Sequence, residues 1–253
     1  MPMANIACVR SIAIKWLAVV AALVCAGAMS TAAALPARPP ATPNADPVFP
    51  FSNEIEAFAR ADASGPAVAD AVLFLGSSSI RLWDIAASFQ DIGTVNRGFG
   101  GATTAHVLHY YKRLLPTIPP RAVVVYVGEN DLAAGTPPDR VARDIAALLG
   151  RLRKDNPRAP IAFLSLKPSP LRWALRERMA MVNAQVVDLT QKLDIRYLDV
   201  GRLLLAPDGL PDASLFRPDG LHMNARGYQR WTASVDAWLD SLPPSSRAQA
   251  SAS

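Results

Sequence analysis

Four short polar stretches of the 253-residue chain hold the groups that could do chemistry. Gly76-Ser77-Ser78-Ser79 offers three hydroxyls. Asn96-Arg97-Gly98-Phe99-Gly100-Gly101 is a glycine-rich turn. Gly128-Glu129-Asn130-Asp131 sets a carboxamide between two acids, and Asp219-Gly220-Leu221-His222 sets a carboxylate one turn before an imidazole. These are the parts that acyl transfer needs. A serine hydroxyl is a poor nucleophile until a base takes its proton. Imidazole titrates near neutrality and suits that task, and a carboxylate can hold its tautomer and stabilise the imidazolium. The tetrahedral intermediate carries an oxyanion, which a serine N–H at a helix start, a glycine N–H in a turn or an asparagine side chain can stabilise. Each part also has a plainer use. A serine after a strand can cap a helix, Asn130 can close a turn, and Asp219 can cap the last helix, although Asn224 is better placed for that.

The surrounding pattern says how these stretches are brought together. Continuous apolar runs at 71–75 (AVLFL), 122–127 (AVVVYV) and 161–166 (IAFLSL) read as strands buried on both faces; 93–95 and 195–200 are weaker runs of the same kind. Helical segments are expected over 103–115, 138–154, 171–192 and 224–242. Pro138 suits a first helical turn, where its missing N–H is no loss. Strands alternating with helices predict a three-layer α/β/α sandwich on a parallel five-stranded sheet of flavodoxin-like order. Sites in such sheets form outside the carboxyl ends of the strands. The first three stretches follow strands one, two and three, and the fourth lies between strand five and the last helix, so all four reach one edge.

Composition bounds the rest. Apolar residues make up 51% of the chain and charged ones 19%, which excludes a disordered protein. The formal charge is +5; Arg10 and Lys15 precede residue 35, where there are no acids, which leaves +3 for the remainder. With no basic block, nucleic acid is not an expected partner. Residues 1–34 read as a secretory signal: Arg10 and Lys15 lead, residues 16–29 form an apolar stretch, and Ala32-Ala33-Ala34 supplies small residues for cleavage. An uncleaved membrane anchor is the alternative. The expected location is therefore exported, periplasmic or secreted, with no stable membrane insertion once the signal is removed. Cys8 and Cys25, the two cysteines, both fall in this leader. The expected organisation is completed by a proline-rich linker at 35–50, a domain at 51–242 and a Pro/Ser/Ala-rich tail at 243–253.

VLFLGSSSIRLW, NRGFGGATT, VGENDL and PDGLHMNARGY, in that order over residues 72–228, resemble blocks I, II, III and V of the SGNH/GDSL hydrolases. The resemblance implies a flavodoxin-like fold and hydrolysis of carboxylic esters, without a cofactor or metal. It further implies Ser78 as nucleophile, Asp219 and His222 as its partners, and the Ser78 N–H, Gly101 and Asn130 as the oxyanion hole. One position departs from the family pattern: Ser77 stands where the common block has an aspartate. A Gly-Ser-Ser-Ser block is similar to the family's acetylhydrolase-like members.

The expected partner is a small-molecule or glycan ester, with short acyl or O-acetyl groups favoured by export and by the lack of a hydrophobic lid insert. A non-catalytic carbohydrate- or partner-binding module on the same fold is the competing reading, though it would not need Ser78, Asp219 and His222 together. Trp83, Arg97, Lys167, Pro168 and Arg172 are expected to line the pocket, with a core or surface role equally open for Trp83. His106 and His109 share one helix face; with His222 in a distant loop and no cysteine outside the leader to join them, they read as solvated or lining residues rather than metal ligands.

Overall fold

Valine and leucine dominate two of the interior strands, β1 (Val72–Gly76) and β3 (Ala122–Tyr126), and every residue of both is buried. Such runs can only be central, because neither face can meet water. β2 (Thr94–Gly98) flanks β1, while β4 (Ile161–Leu164) and β5 (Arg196–Leu198) extend the sheet beyond β3. The order is β2-β1-β3-β4-β5 and every pairing is parallel, which is the expected flavodoxin-like arrangement. This computed structural model describes residues 50–65 and 67–243. The expected leader at 1–34, the linker at 35–50 except Pro50, and the tail beyond Pro243 lie outside the described residues. Among the described residues, no helix is long and apolar enough to cross a membrane.

Helices cover both faces of the sheet. α1 (Ser52–Ser64) packs on α4 (Thr104–Leu114), α4 on α6 (Pro138–Asp155), and α6 on α7 (Arg176–Lys192). α6 buries Val141, Ile145, Leu148, Leu149 and Leu152, a stripe at helical spacing, with Pro138 in its first turn. α8 (Ala225–Asp240) buries Trp231, whose ring packs on Tyr126 and Trp83. Three short helices, α2 (Ser78–Arg81), α3 (Ile85–Ser88) and α5 (Glu129–Ala133), start in the loops after β1 and β3.

The elements differ from the sequence expectation in several places: β2 runs on to Gly98, β5 is shorter than the run at 195–200, and α2, α3 and α5 form where no helix was expected. α1 is an added helix; it buries only Ile55 fully, so its apolar stripe is thin. α7 begins at Arg176 rather than at residue 171, because residues 173–175 tighten into a single 3₁₀ turn.

The turn out of β1 depends on Gly76. A Cβ there would lie 1.9 Å from the Tyr126 carbonyl oxygen, and that oxygen accepts the Ser77 N–H at 3.0 Å. No side chain fits between two strands at this separation. Gly76→Ala is expected to lose about 2–4 kcal/mol of stability. Urea denaturation checks this, and an unchanged midpoint would refute it.

Candidate active site

Ser77, Ser78 and Ser79 leave β1 together, but only one faces outward. Ser77 and Ser79 are 3% and 4% exposed, whereas Ser78 is partly accessible. The Ser77 carbonyl accepts the N–H groups of Ile80 and Arg81, which starts α2 and turns Ser78 to the sheet edge. Tyr228 of α8 donates its hydroxyl to the Ser79 carbonyl at 3.0 Å and fixes the turn from behind.

Residues 216–223 form a narrow hairpin closed by an antiparallel bridge between Phe216 and Met223. Its tip carries Asp219 and His222. Asp219 Oδ1 accepts both the Leu221 and His222 N–H groups at 2.9 Å, which curls the tip back on itself. Asp219 Oδ2 lies 2.7 Å from His222 Nδ1, and His222 Nε2 lies 3.0 Å from Ser78 Oγ. An ionised carboxylate can only accept, so Nδ1 carries the ring proton and Nε2 is left to accept from Ser78. Partial burial pushes the Asp219 carboxyl up, but hydrogen bonds from the His222 ring and from the two N–H groups outweigh this and hold it at about 2. Asn224, directly after the hairpin, caps α8 through the Gly227 N–H.

Gly101 stands opposite, in the turn between β2 and α4. Its φ is +74°, a conformation that favours glycine, and nothing lies within 4 Å of where a Cβ would be. Neither the Ser78 N–H nor the Gly101 N–H has a hydrogen-bond partner among the described residues. Asn130 reaches the same region from α5. Its Nδ2 donates to the Ala102 carbonyl at 2.9 Å, which leaves its second amide hydrogen available. Asp131 secures this turn by accepting the Thr104 N–H on both oxygens at 3.0 Å.

Behind Asn130 lies a buried ionic cluster. The Glu129 side chain is 4% exposed. Its Oε1 accepts from Arg172 Nη1 at 3.0 Å, and its Oε2 lies 3.2 Å from Lys167 Nζ and accepts the Tyr126 hydroxyl. Burial alone would push the Glu129 carboxyl up. The charges of Lys167 and Arg172, with hydrogen bonds from Tyr126 and Lys167, outweigh it and hold the group below its ordinary value of 4.5. Burial and the Glu129 charge push the Tyr126 phenol well above its usual range, so it stays a donor. Lys167 Nζ also donates to the Leu221 carbonyl at 2.9 Å, next to His222.

The structure thus brings Ser78, Gly101, Asn130, Asp219 and His222 to one edge. Three residues expected to line the pocket are turned inward instead. Trp83 is 2% exposed; it stacks on Tyr228 and donates its indole N–H to Ser88. Arg97 is 5% exposed, pairs with Asp62 of α1 and covers the Phe58 ring. Lys167 is wholly buried, because Glu129 and the Leu221 carbonyl satisfy its ammonium group. A side chain so covered offers little surface to a ligand. Arg172 stays partly open at the edge. His106 closes a capping box with Thr103 at the start of α4. Glu129 is the important residue that the sequence reading passed over. The available signal was an acid three residues past the end of β3, with a lysine three residues past the end of β4.

A serine, an imidazole and a carboxylate thus lie in line at the carboxyl edge of a parallel α/β/α sheet, near unpaired N–H donors. The GDSL-like lipase/acylhydrolase family model matches residues 81–230. That is more than half of the chain, and the chain is a hydrolase belonging to this family. The match takes in Gly101, Asn130, Asp219 and His222 and begins three residues after Ser78. No curated protein matches the chain by sequence. Among solved structures, the chain is similar to a candidate platelet activating factor from Streptococcus pneumonia, with a TM-score of 0.67 and 21% identity over 74% of this chain and 92% of the other. It is similar to a GDSL-like lipase from Bacteroides thetaiotaomicron, with a TM-score of 0.62 and 20% identity over 74% and 97%. A psychrotrophic esterase from Pseudoalteromonas sp., inhibited by monoethylphosphonate, matches with a TM-score of 0.53 and 20% identity over 68% and 99%. At these identities the likeness is one of fold.

The Glu129 cluster has a signature in acid. Its native carboxyl titrates below 4.5, so its stabilising contribution is complete above that pH and is lost as pH falls through the native value. Wild-type stability should decline over that range in urea denaturation. Glu129→Gln leaves two buried cations without their carboxylate; it should be less stable by about 3 kcal/mol at neutral pH. It should also lack this part of the acid dependence. Equal stability of the two proteins at neutral pH would refute the assignment.

Proposed function

We propose that the protein hydrolyses carboxylic esters by a Ser78–His222–Asp219 triad. His222 Nε2 takes the Ser78 hydroxyl proton as Oγ attacks the ester carbonyl. The C–O bond to the alcohol then breaks, and His222 returns the proton to the departing oxygen. Water, deprotonated by His222, attacks the acyl-serine and releases the acid, and the proton passes back to Ser78. Asp219 stays ionised and holds the ring so that Nε2 faces Ser78. The Ser78 and Gly101 N–H groups and the Asn130 carboxamide receive the oxyanion, with no cofactor or metal taking part. The observation that carries this reading is the unbroken chain from Asp219 Oδ2 to His222 at 2.7 Å and from His222 to Ser78 Oγ at 3.0 Å.

The substrate class we favour is a short-chain acyl ester, such as an O-acetyl group on a glycan. Support comes from the hairpin tip, where Asp219 is half-exposed and His222 partly exposed, which leaves the site open, and from the leader pattern of residues 1–34, which suits work outside the cytoplasm.

Ser78→Ala should lower turnover of p-nitrophenyl acetate by about a thousandfold or more. Wild type no faster than this variant would sink the hydrolase mechanism and favour a binding role. A fluorophosphonate probe should label wild type, Ser77→Ala and Ser79→Ala, but not Ser78→Ala; label retained on Ser78→Ala would move the nucleophile elsewhere. A mature N-terminus near Leu35, read by mass spectrometry of the protein exported by a bacterial host, is the result expected of the leader. An intact N-terminus on the exported protein would overturn cleavage.

A further inference from the structure

The buried cluster contacts the site at one atom that decides its polarity. Arg172 Nη2 donates to Asn130 Oδ1 at 3.0 Å, while Nη1 of the same guanidinium donates to Glu129 Oε1 at 3.0 Å. We propose that Arg172 is a positioning residue: anchored by Glu129, it fixes which end of the Asn130 carboxamide faces the substrate carbonyl. The proposal rests on the reading of Asn130 as an oxyanion donor.

A carboxamide is nearly symmetric in shape and opposite in polarity at its two ends. Turned one way, Asn130 offers an N–H to the developing oxyanion. Turned by 180°, it offers an oxygen, which repels that charge. The fold must therefore choose between two states that packing alone barely distinguishes. Two contacts make the choice. The Ala102 carbonyl, which can only accept, takes Nδ2–H at 2.9 Å. The Arg172 guanidinium, which can only donate, takes Oδ1. A flip would set oxygen against oxygen at Ala102 and N–H against N–H at Arg172. Both mismatches would be felt in partly dry surroundings, where unpaired polar groups are most expensive.

The guanidinium is suited to this because its fork is rigid. It bridges two acceptors on adjacent residues, Glu129 and Asn130. Glu129 cannot drift, since Lys167 and Tyr126 hold its other oxygen. A positive charge on Oδ1 also draws electron density from the amide and makes its N–H a stronger donor. Only 18% of the Arg172 side chain is exposed, and both fork ends are occupied within the protein.

A double-mutant cycle tests this with p-nitrophenyl acetate, a neutral ester that gives Arg172 no charge to bind. Asn130→Ala should lower kcat by about a hundredfold. Arg172→Met should lower kcat by about tenfold with little change in KM, since the loss falls on the transition state. In the Asn130→Ala background, Arg172→Met should add less than about a twofold loss, because its target is gone. Thermal melting of all four proteins separates these effects from unfolding, and Arg172→Gln repeats the cycle should the methionine variant not fold. An equal fold-loss in both backgrounds would overturn the proposal and assign Arg172 to substrate or to general structure; no loss in the wild-type background would overturn it as well. Full activity of Asn130→Ala is a different result, which removes the oxyanion reading itself.

Discussion

Glu129 is a full negative charge with almost no access to water, and the site is arranged around satisfying it. Burying a carboxylate costs several kcal/mol unless partners replace its hydration. Here three donors do so, and they come from different parts of the chain. Tyr126 rises from β3 itself, while Lys167 and Arg172 come from the loop after β4. Lys167 then spends a second donor on the Leu221 carbonyl, in the hairpin that carries His222. The backbone adds its own tie, from the Leu171 N–H to the Gly220 carbonyl at 2.9 Å. One buried charge thereby sets the relative position of the loop after β3, the loop after β4 and the hairpin that carries His222. Because the demand is electrostatic, none of these loops can move far without leaving a charge or a dipole unpaired.

The residues after β3 show how much a short helix can organise. Consecutive side chains on a helix point about 100° apart. In α5, Glu129 therefore faces the β4 loop, Asn130 faces the Ala102 carbonyl, and Asp131 faces the start of α4. The turn that carries Gly101 is held by the second and third of these. Three adjacent polar residues thus tie α5 to the loop after β4 and to the turn leading into α4, and Gly101 and Asn130 are fixed relative to each other by the same five-residue element.

What the sequence made legible follows from this geometry. β1 and β3 were readable because strands buried on both faces must be continuously apolar. The edge strands carry a weaker pattern: β5 is only three residues long, and β2 runs on through Asn96 and Arg97, polar residues that read as loop. Asn96 can stay in the strand because its side chain meets the Ile80 carbonyl and the Gly98 N–H. α1 escaped notice because it follows a proline-rich stretch and its burial rests on one residue, Ile55. At the site, the polar groups carried by loops after the strands were legible, because the strand pattern places those loops at the sheet's carboxyl edge. Lys167 was not read correctly, because a lysine beside a proline turn is ordinarily solvated. Its burial makes sense only once Glu129, distant in sequence, is known to face it.

The same distinction bears on Ser77, where the family pattern has an aspartate. The hydrogen bonds of position 77 that shape the turn belong to its backbone: its N–H meets the Tyr126 carbonyl, and its own carbonyl meets the N–H groups of Ile80 and Arg81. Backbone groups are common to both residue types, so the turn that presents Ser78 does not require an acid there. The demanding positions are its neighbours. Gly76 is constrained by the closeness of two strands, and Ser78 by its alignment with His222. A departure at position 77 is therefore compatible with an intact site, whereas a departure on either side of it would not be.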